Sequence, residues 1–202
     1  MLIAIIDYQA GNQTSVQRAL AHLGHAAEVT ADPAVIAAAD RVIFPGVGAA
    51  GSCMANLRGG QLDTALQAAV AGGKPVLGVC IGMQLLFEFS DEDGGVPCLG
   101  VLDGLVERFL PTDPAVKVPH MGWNAVDHSG DALFAGIPSG ERFYFVHSYY
   151  CVPHVSIDAI AIADHGGKFC AGVRKGPLAA VQFHPEKSGP AGLRLLDNFV
   201  RG

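Results

Sequence analysis

The chain is 202 residues long, half of it hydrophobic and only 16% charged, with a formal charge of −6. That composition supplies a sizeable core and excludes disorder, which needs low hydrophobicity and high net charge. Without any basic run it is no nucleic-acid binder, and its apolar stretches are too short for a membrane span.

Leu2–Ile6 reads as a buried strand and runs straight into Asp7, with no basic start or small-residue cleavage site. No signal peptide is expected, so the cytoplasm is the expected location. From Asn12 to Leu23 the residues Val16, Ala19, Leu20 and Leu23 share one helical face, and Gly24 closes the helix. A strand follows at Ala27–Thr30, and Asp32-Pro33 opens a short helix as N-cap and first-turn proline. Arg41–Phe44 is a third strand that ends in a glycine-rich turn. Leu62–Ala71 is a helix, Pro75–Val79 a strand and Ile81–Phe89 another helix. This alternation predicts parallel strands joined by right-handed crossovers. The second half is strand-rich, at Leu105–Leu110, Asn124–Asp127, Arg142–Tyr149, Ile157–Ala163, Phe169–Arg174 and Leu178–Phe183. A closing helix, Gly189–Val200, turns Leu193, Leu196 and Val200 inward. The expected fold is α/β: an open, mostly parallel central sheet with flanking helices and an added antiparallel portion. No linker divides it, so residues 1–202 read as a single domain.

The five cysteines, at 53, 80, 98, 151 and 170, are odd in number and contain no C-x-x-C pair. Neither a disulfide framework nor a metal site is expected. Most of them read as small buried hydrophobes. Cys80 is different, because Gly78-Val79-Cys80-Ile81-Gly82 sits between a strand and a helix. A nucleophile on such a turn needs small residues two positions either side, where backbones come close. The helix N-terminus favours a thiolate, and the Ile81 N–H points where an oxyanion would form. A structural cysteine at a strand end is the plainer reading of Cys80.

The second signal is Phe183-His184-Pro185-Glu186. Residues i and i+2 of an extended segment share a face, so Glu186 can hold one imidazole nitrogen of His184 and leave the other for a thiol. A surface ion pair is the plainer reading here. Both segments fall at C-terminal strand ends, where open α/β sheets bind ligands, and together they favour a Cys-His-Glu enzyme. Gly46-Val47-Gly48-Ala49-Ala50-Gly51 matches G-x-G-x-x-G, but it follows the third strand and Ala71 stands where an acid is needed. An oxyanion-binding turn is preferred to a dinucleotide site. The aromatic-rich Phe143–Tyr150 reads as a core strand, with His147, Ser148 and Tyr149 leaving it at one sheet end to line a pocket.

Gly78-Val79-Cys80-Ile81-Gly82-Met83-Gln84 and Gln182-Phe183-His184-Pro185-Glu186 resemble the nucleophile and His-x-Glu segments of the class I (triad) glutamine amidotransferases. Asp7-Tyr8 with Gly11-Asn12, Pro119-His120-Met121-Gly122-Trp123-Asn124 and Phe143–Tyr150 are similar to the glutaminase subunits of imidazole glycerol phosphate synthases, in histidine biosynthesis. The resemblance runs end to end. Three positions depart from it: Gln9 stands where glycine is usual, Gln13 where leucine is common and Ala50 where an aromatic is usual.

The resemblance implies that Cys80 attacks the side-chain carboxamide of glutamine, that His184 moves the proton and that Glu186 orients His184. Oxyanion donors would come from Ile81 and from the Gly46–Gly48 turn, at Val47 or Gly48. If that turn's peptide faces away at rest, its flipping would switch the enzyme on. Gln84 and His147-Ser148-Tyr149, with Gly46, would hold the amino-acid substrate. A partner is implied, the (β/α)8-barrel cyclase subunit in a heterodimer, with Asn12, His120, Met121, Trp123 and Lys187 as candidates for the docking face. No cofactor, whether metal, nucleotide or flavin, is implied. The rival readings are a glutaminase serving another acceptor, an idle regulatory subunit, and a cysteine peptidase or hydratase of the same fold.

Overall fold

The computed structural model describes residues 1–154 and 159–202. In chain order the elements are β1 (Ile3–Ile6), α1 (Gln13–His22), β2 (Ala27–Thr30), α2 (Pro33–Ala38), β3 (Arg41–Phe44), α3 (Ala50–Gly59), α4 (Leu62–Ala71), β4 (Val76–Val79) and α5 (Ile81–Gln84). There follow β5 (Phe89–Ser90), β6 (Val96–Pro97), β7 (Gly104–Arg108), β8 (His120–His128), β9 (Glu141–His147), β10 (Tyr149–Pro153), β11 (Ala159–Asp164), β12 (Lys168–Lys175), β13 (Leu178–Val181) and α6 (Gly189–Arg201).

The sheet runs β2-β1-β3-β4-β13-β12-β10-β7-β5-β6, and β11, β8 and β9 branch from β12. The first five strands are parallel, and at β13 the sheet turns antiparallel into β12. This is the expected α/β architecture. Burial on both faces explains the unbroken apolar run of β1. Ile3 and Ile5 pack into one core beneath α1 and α6, and Ala4 and Ile6 into the other beneath α2, α3 and α4.

Local rules hold where the chain is self-sufficient. Asp32 caps α2, accepting from the Ala34 N–H at 2.8 Å. Gly24 takes φ +83° just past α1. Other elements differ from the sequence expectation. The stretch after β3 forms α3, which buries Ala50, Cys53, Met54 and Leu57 on one face. Its first amides, from Ala50 and Gly51, donate to the Glu92 and Asp93 carboxylates at 2.8 and 3.0 Å, a cap supplied from 42 residues away. The helix expected over 81–89 stops at Gln84 because the next carbonyls are claimed by a distant loop. Leu85, Leu86 and Phe87 accept from Leu99, Val101 and Gly100.

The single strand expected over 142–149 is two strands that part at Ser148. β9 pairs with β8 along its whole length, whereas β10 crosses to β7 and β12. That pairing also extends β8 back to His120, four residues before the expected start. Of the strand expected over 157–163, residues 157 and 158 lie outside the described residues. In α6 the inner face is Leu195, Leu196, Phe199 and Val200, while Leu193 is half-buried.

Candidate active site

Cys80 stands between β4 and α5 at φ +56°, ψ −112°, a conformation that costs a non-glycine residue roughly 1–3 kcal/mol. The surrounding packing enforces it. A Cβ on Gly82 would lie 1.9 Å from the Phe44 carbonyl oxygen, and one on Gly78 would lie 2.9 Å from Leu86. Gly82 is therefore a steric necessity of the turn, and Gly78 sits in tight packing against Leu86 and Ala180. The Cys80 N–H donates to the Val181 carbonyl at 2.8 Å, tying the turn to the end of β13. Ile81 opens the helix, so its N–H has no intrahelical acceptor.

His184 and Glu186 follow β13, the strand beside β4. Three contacts fix the histidine. Its N–H donates to the Tyr144 carbonyl at 2.9 Å, the Ser188 hydroxyl donates to its carbonyl at 2.6 Å, and the preceding Phe183 packs its ring at a tilt against Phe143, with centroids 4.1 Å apart. His184 Nδ1 lies 2.8 Å from Glu186 Oε1, and both side chains are fully buried. Nε2 is also buried and interacts with Cys80, both by charge and by hydrogen bonding.

Burial opposes a charged imidazole. The negative charge of a Cys80 thiolate, followed by hydrogen bonding to Cys80 and Glu186, outweighs it and lifts His184 to about 10. Glu186 is pushed up by burial, but its bonds to His184 and Asn12 bring its carboxyl below the usual range. Asn12 donates to Glu186 Oε1 at 2.7 Å and lies 3.3 Å from His184 Nδ1. It reaches that place from φ +73° at the start of α1.

Cys80 opens onto a cavity of about 270 Å³ whose wall includes Val47, Gly48, Ile81, Gln84, Glu92 and the 147–149 segment. That is small for a ligand site and suits an amino acid. A larger cavity, about 640 Å³, lies between α2 and α4, with Ala37, Ala65, Ala68 and Ala69 in its wall. Its lysine, Lys74, is engaged with the Ile36, Ala37 and Ala39 carbonyls, so reactive chemistry belongs to the smaller one. Gly46 lies behind that wall, and the Tyr8 hydroxyl leaves no room there for a Cβ, which would sit 1.9 Å away.

Other candidates sit differently from the sequence expectation. The Val47 N–H is bonded to the Ala10 carbonyl at 2.9 Å and so does not address the cavity in this conformation. His147 uses both ring nitrogens inside the protein, on the Tyr149 carbonyl and on His120. His120 is itself buried, because it points inward on β8 while Met121 and Trp123 point outward, 63% and 49% exposed. Asn12 belongs to the His184–Glu186 pair. Of the docking candidates, Met121, Trp123 and Lys187 present exposed surface, with Lys187 Nζ 6.0 Å above the Tyr144 ring. Glu92 and Gln182 were not singled out as site residues. Gln182 is fully buried 3.9 Å from Cys80 Sγ, and its place two residues before His184 was the available signal. Glu92 lies on a short turn whose sequence carries no such signal.

A thiol on a strained strand-to-helix turn, facing a buried His-Glu pair across a parallel sheet, defines a triad enzyme built for covalent attack on an acyl carbon. The chain belongs to the class-I glutamine amidotransferase family, whose model matches residues 4–202. It is 52% identical to the imidazole glycerol phosphate synthase subunit HisH of Dechloromonas aromatica, with 98% of this chain and 95% of that protein covered. The HisH proteins of Methylococcus capsulatus and Acinetobacter baylyi are 50% and 48% identical, each across 98% of this chain and 95% and 97% of their own lengths. Among solved structures, a glutamine amidotransferase superposes with a TM-score of 0.77 at 19% identity, covering 98% of this chain and 96% of the other. A glutamine amidotransferase from Thermotoga maritima gives 0.66 at 15% identity, covering 99% and 82%. No helix among the described residues is long and apolar enough to cross a membrane.

Proposed function

We propose that this chain is the glutaminase subunit of an imidazole glycerol phosphate synthase, releasing ammonia from glutamine for a cyclase partner in histidine biosynthesis. The observation that carries the chemistry is the buried His184, whose Nε2 is turned to Cys80 while Glu186 holds the other nitrogen. The similarity to HisH subunits over 98% of the chain carries the choice of pathway.

The lifted basicity of His184 suits it to hold the proton that Cys80 gives up as it attacks. The sulfur attacks the carboxamide carbon of glutamine, and the oxygen of the tetrahedral adduct takes the Ile81 N–H. His184 Nε2 then protonates the nitrogen, the C–N bond breaks and ammonia leaves a thioester on Cys80. Water attacks the thioester while the now neutral Nε2 takes its proton; the C–S bond breaks, glutamate departs and the Cys80–His184 pair is restored. Gln84, Ser148 and Tyr149 hold the amino-acid end, and the Glu92 carboxylate in the cavity wall suits its ammonium group. Turning the Val47 peptide away from Ala10 adds a second oxyanion donor, worth about 2.7–4 kcal/mol in comparable sites. The flip is the step we assign to docking of a (β/α)8-barrel cyclase subunit on the face carrying Met121, Trp123 and Lys187.

The test is glutamate release with and without the cyclase partner and its nucleotide ligand, with Cys80→Ala as control. Release that requires the liganded partner and vanishes in the variant is expected. Turnover indifferent to the partner refutes the pathway assignment, and no turnover under any condition refutes the glutaminase.

A further inference from the structure

The Tyr149 carbonyl is bonded from two sides, by His147 Nδ1 at 2.7 Å and by Gln84 Nε2 at 2.9 Å. A carbonyl only accepts, so both neighbours must donate, and this fixes the polarity of every group bonded to them. On one side His147 carries its proton on Nδ1 and offers a lone pair at Nε2. His120 Nδ1 donates to that lone pair at 3.0 Å and in turn offers Nε2 to the Asn124 amide at 3.2 Å. On the other side Gln84 Nε2 gives its second proton to Gln182 Oε1 at 3.0 Å. The Gln182 amide is thereby turned with its nitrogen, a donor, on Cys80 Sγ at 3.9 Å.

The chain needs both imidazoles neutral, the form that their burial favours. Burial, with weaker repulsion from neighbouring histidines, holds His147 down to about 3 and His120 to about 4. Its outer end lies on β8. There His120 and Asn124 occupy the inward face and alternate with the exposed Met121 and Trp123.

We propose that Gln182 is a positioning residue that keeps an N–H donor on the nucleophile, and that two arms meeting at the Tyr149 carbonyl, Asn124-His120-His147 on one side and Gln84 on the other, hold it there. Because the chain begins on the strand that carries Met121 and Trp123, a shift of β8 is transmitted to the hydrogen bond on the sulfur. This rests on the reading of Cys80 as the nucleophile. A donor at 3.9 Å favours the thiolate over the thiol, and it acts only while the amide is held nitrogen-first.

The test is the pH profile of Cys80 alkylation by iodoacetamide in the full chain, followed on the Cys80 peptide by mass. Gln182→Met keeps the volume and removes the donor. His120→Phe keeps the ring stacked on Phe145, 4.7 Å between centroids, and removes both of its hydrogen bonds. The titratable groups facing Cys80 are His184, Tyr8, Cys53 and Cys151, with Glu92 and His147 across the cavity, and none of them is substituted. Gln182→Met is expected to raise the midpoint by about one pH unit, a tenfold loss of thiolate below it. His120→Phe raises it by about half as much, and the double variant goes no further than Gln182→Met alone. A pocket merely loosened by substitution changes the plateau rate and leaves the midpoint in place. An unmoved midpoint in Gln182→Met overturns the donor role. Additive shifts, or an unmoved midpoint in His120→Phe, overturn the chain. Alkylation needs no glutamine, so these shifts in a protein that releases no glutamate would refute the proposed function and leave this inference standing.

Discussion

Gly82→Ala isolates the turn that holds the nucleophile. The added Cβ would sit 1.9 Å from the Phe44 carbonyl oxygen, about 1 Å inside the shortest contact that packed side chains tolerate. The obstacle is backbone in the middle of the parallel sheet, where β3 pairs with both β1 and β4, so it cannot swing aside as a side-chain end would. The first turn of α5 must move instead, taking the Ile81 N–H and Cys80 with it. Overpacking of this kind costs about 1–3 kcal/mol, which lowers the melting temperature by roughly 3–10 °C for a chain of this length. A displacement of about 1 Å at the reacting atoms is expected to reduce glutamate release on the order of 10²-fold. The control is Gly59→Ala at the end of α3, where nothing lies within 4 Å of the new Cβ and turnover should be unchanged. The assays are glutamate release in the presence of the cyclase and thermal unfolding of each variant. Wild-type turnover in Gly82→Ala, or an equal loss in Gly59→Ala, would refute the steric argument.

Val47→Pro deletes the N–H now bonded to Ala10 and is expected to reduce partner-stimulated turnover about 10²–10³-fold, whereas unchanged turnover would sink the peptide-flip mechanism. Gln9 holds φ +63°, which explains why glycine is usual there, so Gln9→Gly should gain up to about 1 kcal/mol in urea unfolding. A loss of stability would mean that the Gln9 N–H bond to Asp7 Oδ1, at 3.0 Å, depends on the side chain. Stability should peak near pH 6.5, with both limbs set by buried groups. The neutral His147 and His120, held to about 3 and about 4, contribute fully above about 6.5 and lose their contribution as pH falls toward those values. Glu186, lowered, gives way further down. His184, raised to about 10, contributes fully below about 6.5 and is lost as pH rises through 10. A melting temperature flat between pH 4 and 6.5 would contradict the buried neutral pair. The double substitution Met121→Ser with Trp123→Ser should weaken cyclase binding at least tenfold by calorimetry, and an unchanged affinity would place docking on another face.

What the sequence determined by itself was everything set by neighbours along the chain. The β-α rhythm of the first half and the Asp32-Pro33 cap follow from local sterics and from burial on both sheet faces. The same holds for His184 and Glu186, whose two-residue spacing already puts them on one side of the backbone. Tertiary structure decided whatever depends on partners far away in sequence. Helix α3 is capped by Glu92 and Asp93, α5 is cut short by amides from residues 99–102, and the strand at Ser148 divides because β8 and β7 claim its two halves. The inward turn of His120 and the donor that Gln182 sets on Cys80 have the same origin. No periodicity records which buried carbonyl a side chain will meet, and at this site the Tyr149 carbonyl fixes the direction of the whole hydrogen-bond chain.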